Sequence, residues 1–226
     1  MAMKLCTTAQ AAEEGIKILV HAPSGFGKTV LCSTVDSMII ISKERGLLSL
    51  RGHNIPAIQV TTLDDVKEAY RFVRDHPEGR KFRWVAVDSI SDIAETVLLS
   101  AKSGAADPRR AYGGMAEQMV QLITDFRDLP GRNVLMTCKQ ELSEGMYRPA
   151  LPGKILTDGT YSVAYYFDEV FALHVIDVDG RQVRALQTGA SKTHIAKDRS
   201  AVLEFWEPAN LAHIEQKILS TVPRPM

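Results

Sequence analysis

The chain has little cysteine. Cys6, Cys32 and Cys138 are its three cysteines, and they are too widely spaced for a disulfide framework or a zinc cluster. A reduced cytoplasm is the simplest compartment this implies. Long apolar runs are missing too: none approaches the roughly 20 residues that a bilayer-spanning helix needs. The first residues hold one Lys and no long apolar stretch, so they do not read as a signal peptide. Neither sign of charge is in excess, with 27 Lys plus Arg against 27 Asp plus Glu. A protein that grips nucleic acid through its overall charge would be basic. Any such contact here needs cations gathered on one surface, or multiplied by assembly. There is no internal repeat and no low-complexity tract.

What is present is ordinary for a globular chain of 226 residues: 45% hydrophobic and 24% charged. That length fits one domain spanning residues 1–226, with a core over about residues 15–200 and a terminal helix over about 208–220. Apolar, β-rich runs predict strands at 17–21, 38–41, 57–60, 84–87 and 134–137. Residues 28–35 read as a helix. Thr62 reads as an N-cap, with Asp64 and Asp65 in the first turn and Leu63, Val66, Tyr70 and Val73 at helical spacing, so about 63–75 is an amphipathic helix. Ile90 to Leu99 and Met115 to Phe126 read as helices, separated by an irregular Gly-, Pro- and Arg-containing segment, Gly104 to Gly114. Glu141 to about Ser162 reads as a long polar connector, and such length points to function. Val170 to Val178, Asp179-Gly180 and Gln182 to Leu186 predict a β-hairpin. Strands alternating with helices imply an α/β fold, a mostly parallel sheet flanked by helices, with this hairpin extending one side.

The run Ala22-Pro23-Ser24-Gly25-Phe26-Gly27-Lys28-Thr29 leaves a strand and enters a helix. Gly25 and Gly27 allow backbone angles that turn successive amides toward phosphate oxygens. The helix that follows is expected to add its positive end. Lys28 reaches the β- and γ-phosphates, the Thr29 hydroxyl ligates Mg²⁺, and Val30 completes the nucleotide-binding stretch. Ala22 stands where the consensus has Gly. The second element is Trp84-Val85-Ala86-Val87-Asp88, an apolar strand ending in a carboxylate. Asp88 either holds Mg²⁺ or caps the next helix, and its pairing with the phosphate loop favours the metal.

On these residues the chain resembles the RecA-like P-loop ATPases, most closely the small RecA-core annealing proteins encoded by bacteriophages. Val87-Asp88-Ser89 resembles the end of that group's magnesium strand. Ile40-Ile41-Ser42-Lys43-Glu44 resembles the strand that ends in a catalytic Glu. Val134 to Gln140 resembles the strand leading to a γ-phosphate-sensing Gln, and Lys197-Asp198-Arg199-Ser200 resembles the paired cations offered to a neighbour's nucleotide. The resemblance implies Glu44 as the residue orienting the attacking water. It implies Gln140 as the sensor, with Lys139 or Thr137 as alternatives, and Lys197 or Arg199 as a finger acting between subunits. Glu44 is otherwise a solvated charge, and Lys197 and Arg199 a basic surface turn.

The resemblance also implies ATP and Mg²⁺ as cofactors, a homo-oligomeric ring or short filament with nucleotide at the subunit interface, and single-stranded DNA held by two axial loops. A single-strand-binding protein is a further implied partner, and a bacterial host cytoplasm the implied location. Lys102 to Gly114 occupies the place of the first loop and Glu141 to Tyr166 that of the second. Arg109, Arg110, Tyr112, Arg148 and Lys154 are the candidate DNA contacts, with Tyr147 beside them: cations meet phosphates and rings stack on bases. Tyr165-Tyr166-Phe167 reads instead as packing. Two other readings of the phosphate loop are a small-molecule kinase and a nucleotide-dependent scaffold that barely hydrolyses.

Overall fold

A computed structural model describes residues 13–43, 46–104, 108–152 and 162–220, with the backbone alone at 103–104 and 108–110. In chain order its strands and helices are β1 (Lys17–His21), β2 (Met38–Ser42), β3 (Ala57–Gln59), α1 (Leu63–Asp75), β4 (Trp84–Asp88), α2 (Ile90–Gly104), α3 (Pro108–Arg127), β5 (Asn133–Ser143), β6 (Met146–Ala150), β7 (Glu169–Val178), β8 (Arg181–Gln187), β9 (Lys197–Asp198), β10 (Trp206–Pro208) and α4 (Leu211–Ser220). The sheet order is β10-β8-β7-β1-β5-β4-β2-β3, with β6 on β5 and β9 on β7. From β7 through β3 the neighbours are parallel, whereas β8, β10, β6 and β9 pair antiparallel. The α/β fold, mostly parallel with flanking helices and a hairpin extension, is therefore the one the alternation of elements predicts.

The central strands β1, β2 and β4 are buried at every position, as expected of a parallel sheet covered on both faces. One face carries α1, α2 and α3, where Val66, Ile93, Met119 and Phe126 pack on Leu19, Val85 and Met136. Tyr70 meets Phe126 edge to face at 5.2 Å. The other face carries the segment after the phosphate loop and α4, where Leu31, Leu211 and Ile214 pack on Ile18, Ile40 and Phe171. α1 starts at the predicted cap: the Asp65 amide donates to Thr62 Oγ1 at 3.1 Å, and the Thr62 amide donates to Asp65 Oδ2 at 2.8 Å.

Three sequence expectations change. The segment expected to be irregular up to Gly114 is helical from Pro108. Pro108 suits the first helical turn, and Ala111, Met115 and Met119 repeat every four residues into the core. That burial outweighs the roughly 1 kcal/mol that each of Gly113 and Gly114 costs inside a helix. Next, the polar connector after Gln140 begins as a hairpin. β5 runs on to Ser143, Glu144 and Gly145 turn with φ of 50° and 79°, and β6 pairs back. Two consecutive positive φ values are what a tight two-residue hairpin turn needs. Third, the terminal helix starts at Leu211, not Pro208. Asn210 caps it by accepting from the His213 amide at 3.0 Å, and Pro208 lies in β10 opposite Ala185.

Candidate functional site

The phosphate loop and Asp88 sit at the carboxyl edge of the parallel strands, the usual place for ligands in open α/β sheets. β1 ends at His21, flanked by Cys138 of β5 and Ala172 of β7. The chain then turns through Pro23 and Ser24, with φ of +83° at Gly25 and +99° at Gly27. Beyond the loop, Thr29–Thr34 forms a six-residue 3₁₀ turn where a longer helix was expected. Ser33 and Thr34 return their hydroxyls to the carbonyls of Val30 and Leu31, both at 2.7 Å, which favours the tighter turn. So short an element adds little dipole, and the anion chemistry falls to the loop amides and to Lys28.

Lys28 Nζ donates to the carbonyls of Ala22 at 2.8 Å and Pro23 at 3.0 Å, which places the ammonium within the loop. Thr29 Oγ1 donates to Asp88 Oδ2 at 2.7 Å. Thr137, fully buried on β5, donates its hydroxyl to the other Asp88 oxygen. Asp88 is buried, and its backbone carbonyl accepts from the Lys43 amide at 3.1 Å. The carboxylate is thus held at both oxygens by hydroxyls, one from Thr29 at the end of the loop and one from Thr137 on β5. Lys28, Thr29 and Asp88 line a cavity of about 530 Å³ together with Ala22, Pro23, Ser24, Gly25, Gly27, Val30, Ser49, Ser89, Lys139, Gln140 and Arg184.

Gln140 lies in this cavity, as does Lys139, while Thr137 serves Asp88. Burial alone would lower the Lys139 ammonium, but its contacts with Asp92 at 2.7 Å and Glu95 at 2.8 Å raise it above the ordinary lysine range. Gln140 is joined to His21, whose Nδ1 is 2.9 Å from Oε1 and whose Nε2 is 2.8 Å from the Ile195 carbonyl. Burial pushes His21 down to about 4, so the ring is neutral near pH 7 and carries a single proton.

Lys197 and Arg199 lie elsewhere in this chain. β9 pairs with the first residues of β7, the amino-terminal edge of the sheet, away from the phosphate loop. Lys197 Nζ donates to the carbonyls of Ala164, at 2.9 Å, and Phe167, and Arg199 pairs with Asp168 at 2.9 Å. Glu44 and Lys154 fall outside the described residues, and Arg109 and Arg110 stand in the first turn of α3. Tyr112, placed by its sequence in a DNA-facing loop, is instead a half-buried helical residue packed on the core, with Lys102 over its ring at 5.1 Å. Arg148 is half-buried on β6, 3.8 Å from Glu144. Tyr147 beside it stacks on His194 at 4.7 Å. Phe167 is fully buried and Tyr166 packs on the core, whereas Tyr165 is 66% exposed.

Two cavity residues escaped the sequence reading. Ser49 lies within a short 3₁₀ turn, Leu47–Leu50, after β2, and Arg184 comes from the middle of β8. A lone Arg on a hairpin strand carries no local signal; only the sheet order brings it to the loop. A second cavity, about 160 Å³, lies between α1 and α3 and is lined by Leu63, Val66, Tyr70, Leu122 and Phe126 together with Lys67, Gln118, Gln121 and Asp125.

A strand-borne phosphate loop facing a carboxylate-terminated strand defines a P-loop nucleotide-binding protein. More narrowly, the chain belongs to the AAA domain family, which matches residues 14–200, so its domain is of the ATPase type. No curated protein matches the chain. Among solved structures, the KaiC-like protein PH0186 of the archaeon Pyrococcus horikoshii OT3 is similar at 15% identity and a TM-score of 0.43, over 76% of this chain and 78% of that one. Among the described residues, no helix is long and apolar enough to cross a membrane.

Proposed function

We propose that this chain is a Mg²⁺-dependent ATPase that works as a homo-oligomer on single-stranded DNA, in phage-type recombination or strand annealing. The observation that carries the ATPase part is the Thr29–Asp88 contact of 2.7 Å beside Lys28 in one cavity. A hydroxyl and a carboxylate are hard oxygen donors suited to Mg²⁺, which keeps waters and shares phosphate oxygens instead of filling an all-protein cage. In keeping with this, no group of three or more His, Cys, Asp and Glu gathers among the described residues. Bound there, Mg²⁺ would neutralise charge on the transferring phosphoryl group. In this reading Lys28 binds the β- and γ-phosphates, the loop amides hold the chain of phosphates, and Thr137 keeps the Asp88 carboxylate aimed. Gln140 meets the γ-phosphate end and Glu44 orients the attacking water. Lys197 and Arg199, which stand at the opposite edge of the sheet from their own phosphate loop, serve a neighbouring subunit's nucleotide in this reading.

Support for the DNA part is the resemblance of the four motifs, together with cations on the two segments that follow α2 and β5. Arg109, Arg110, Arg148 and Lys154 meet phosphates in this reading, with Tyr147 as an exposed ring for stacking. The test is steady-state ATP turnover by the full chain, with and without single-stranded DNA. Turnover that rises with single strands supports the proposal. Tight ATP binding without turnover selects a scaffold, and phosphoryl transfer to a nucleoside selects a kinase.

A further inference from the structure

Arg184 reaches the phosphate loop from across the sheet. On β8 it pairs with Val175 of β7, and its Nε donates to the Phe26 carbonyl at 2.8 Å. The side chain passes directly over Gly27: a β-carbon there would lie 2.3 Å from Nε and 3.0 Å from Cδ. Gly27 is thus needed twice, for its φ of +99° and for the room it leaves Arg184.

The cations of the cavity are not equivalent. Lys139 is neutralised by Asp92 and Glu95, and Lys28 is turned onto the carbonyls of Ala22 and Pro23. Among the described residues, Arg184 has no carboxylate within ion-pair distance, and its side chain makes no hydrogen bond besides the one to Phe26. One of five N–H donors holds the guanidinium to the loop, and the remaining edge is left for a ligand in the cavity. A planar fork already held in place loses little further freedom on meeting an anion, and phosphate is the anion whose geometry it matches.

We propose that Arg184 is a nucleotide-contacting residue supplied by the same chain, its guanidinium binding the phosphates of a nucleoside triphosphate held in the loop. This rests on reading the cavity as a triphosphate site. It also differs from the inter-subunit role of Lys197 and Arg199, because a monomer has Arg184 in place.

The experiment is equilibrium binding of ATP, ADP, AMP and adenosine, with Mg²⁺, to the full chain and to Arg184→Ala, Arg184→Gln, Arg184→Lys and Lys28→Ala, with circular dichroism to check the fold. Charge-assisted hydrogen bonds of this kind correspond to a loss of about tenfold or more in ATP affinity for Arg184→Ala and Arg184→Gln. Arg184→Lys should fall between, and AMP and adenosine should change much less than ATP. Equal losses for ATP and adenosine would overturn the proposal, since they would mean that Arg184 braces the loop or stacks on the base. Unchanged ATP affinity in folded Arg184→Gln overturns it as well. If Lys28→Ala binds ATP like the parent, the reading of the cavity itself fails; if Lys28→Ala loses binding while the Arg184 variants keep it, only the role of Arg184 fails.

Discussion

Thr29 Oγ1 stands 2.7 Å from Asp88 Oδ2, 59 residues away in sequence, and Thr137 holds the second oxygen of the same carboxylate. A buried carboxylate held at both oxygens by hydroxyls is preorganised for a cation that replaces the Thr29 bond. Asp88→Asn should therefore lower Mg²⁺-dependent turnover by about two orders of magnitude or more, because an amide is a poor ligand for a hard cation. Thr29→Ser keeps the hydroxyl and should retain most activity, while Thr29→Val should behave like Asp88→Asn. Turnover measured across a Mg²⁺ titration checks all three.

His21 makes a prediction about protons. The Ile195 carbonyl can only accept, so the single proton of the neutral ring sits on Nε2 and Nδ1 becomes an acceptor. A half-turn of the Gln140 amide, exchanging its oxygen and nitrogen in place, gives Nδ1 its donor and turns the Gln140 oxygen away from the ring. Long-range ¹⁵N–¹H correlation spectra at pH 7 should show His21 as the Nε2–H tautomer. An Nδ1–H tautomer or a doubly protonated ring would contradict this arrangement.

The buried His21 and Glu169 give stability opposite slopes with pH. Burial lowers His21 from 6.5 to about 4, so the unfolded chain binds its proton more tightly. Its contribution is present above pH 6.5 and is lost as pH falls toward 4, by up to ~3 kcal/mol. Glu169 is raised from 4.5 to about 8 by burial and then by the charge of Asp198. Its contribution is full below pH 4.5 and is lost as pH rises through 8. The two offset each other between 4.5 and 6.5, and from 6.5 to 8 Glu169 alone acts. Urea denaturation should show falling stability over that upper window in the parent chain, and Glu169→Gln should flatten it.

The DNA reading predicts a salt effect. Arg109→Ala with Arg110→Ala should weaken single-strand binding uniformly across sequences. It should also reduce the steepness of log affinity against log salt by about 1.4, at about 0.7 per phosphate contact. Fluorescence anisotropy at several salt concentrations measures it, and an unchanged slope removes these two residues from the interface.

The core of the site was legible because its chemistry is local. Ala22 to Thr29 and Trp84 to Asp88 each place their residues within one short stretch, and a strand that ends where a polar group begins needs no tertiary information. Arg184 and His21 were not legible, since their partners lie 158 and 119 residues away and only sheet pairing joins them. The start of α3 was misread because Gly113-Gly114 weakens helix propensity while Ala111 and Met115 supply the burial that decides. The β5–β6 hairpin was misread because it extends beyond the core, with exposed or half-exposed side chains such as Leu142, Tyr147 and Arg148 giving no clean alternation. The 3₁₀ turn after the loop depended on hydroxyl-to-carbonyl bonds that periodicity does not register.

The most direct measurement is ATP hydrolysis by the parent chain and by Lys28→Ala, each with Mg²⁺ and with excess chelator, after equal folding is confirmed by circular dichroism. The predicted result is turnover in the parent chain with Mg²⁺, and loss of at least about 100-fold on chelation or in Lys28→Ala. Turnover that survives both would place the active site somewhere other than Ala22 to Thr29 and contradict the account.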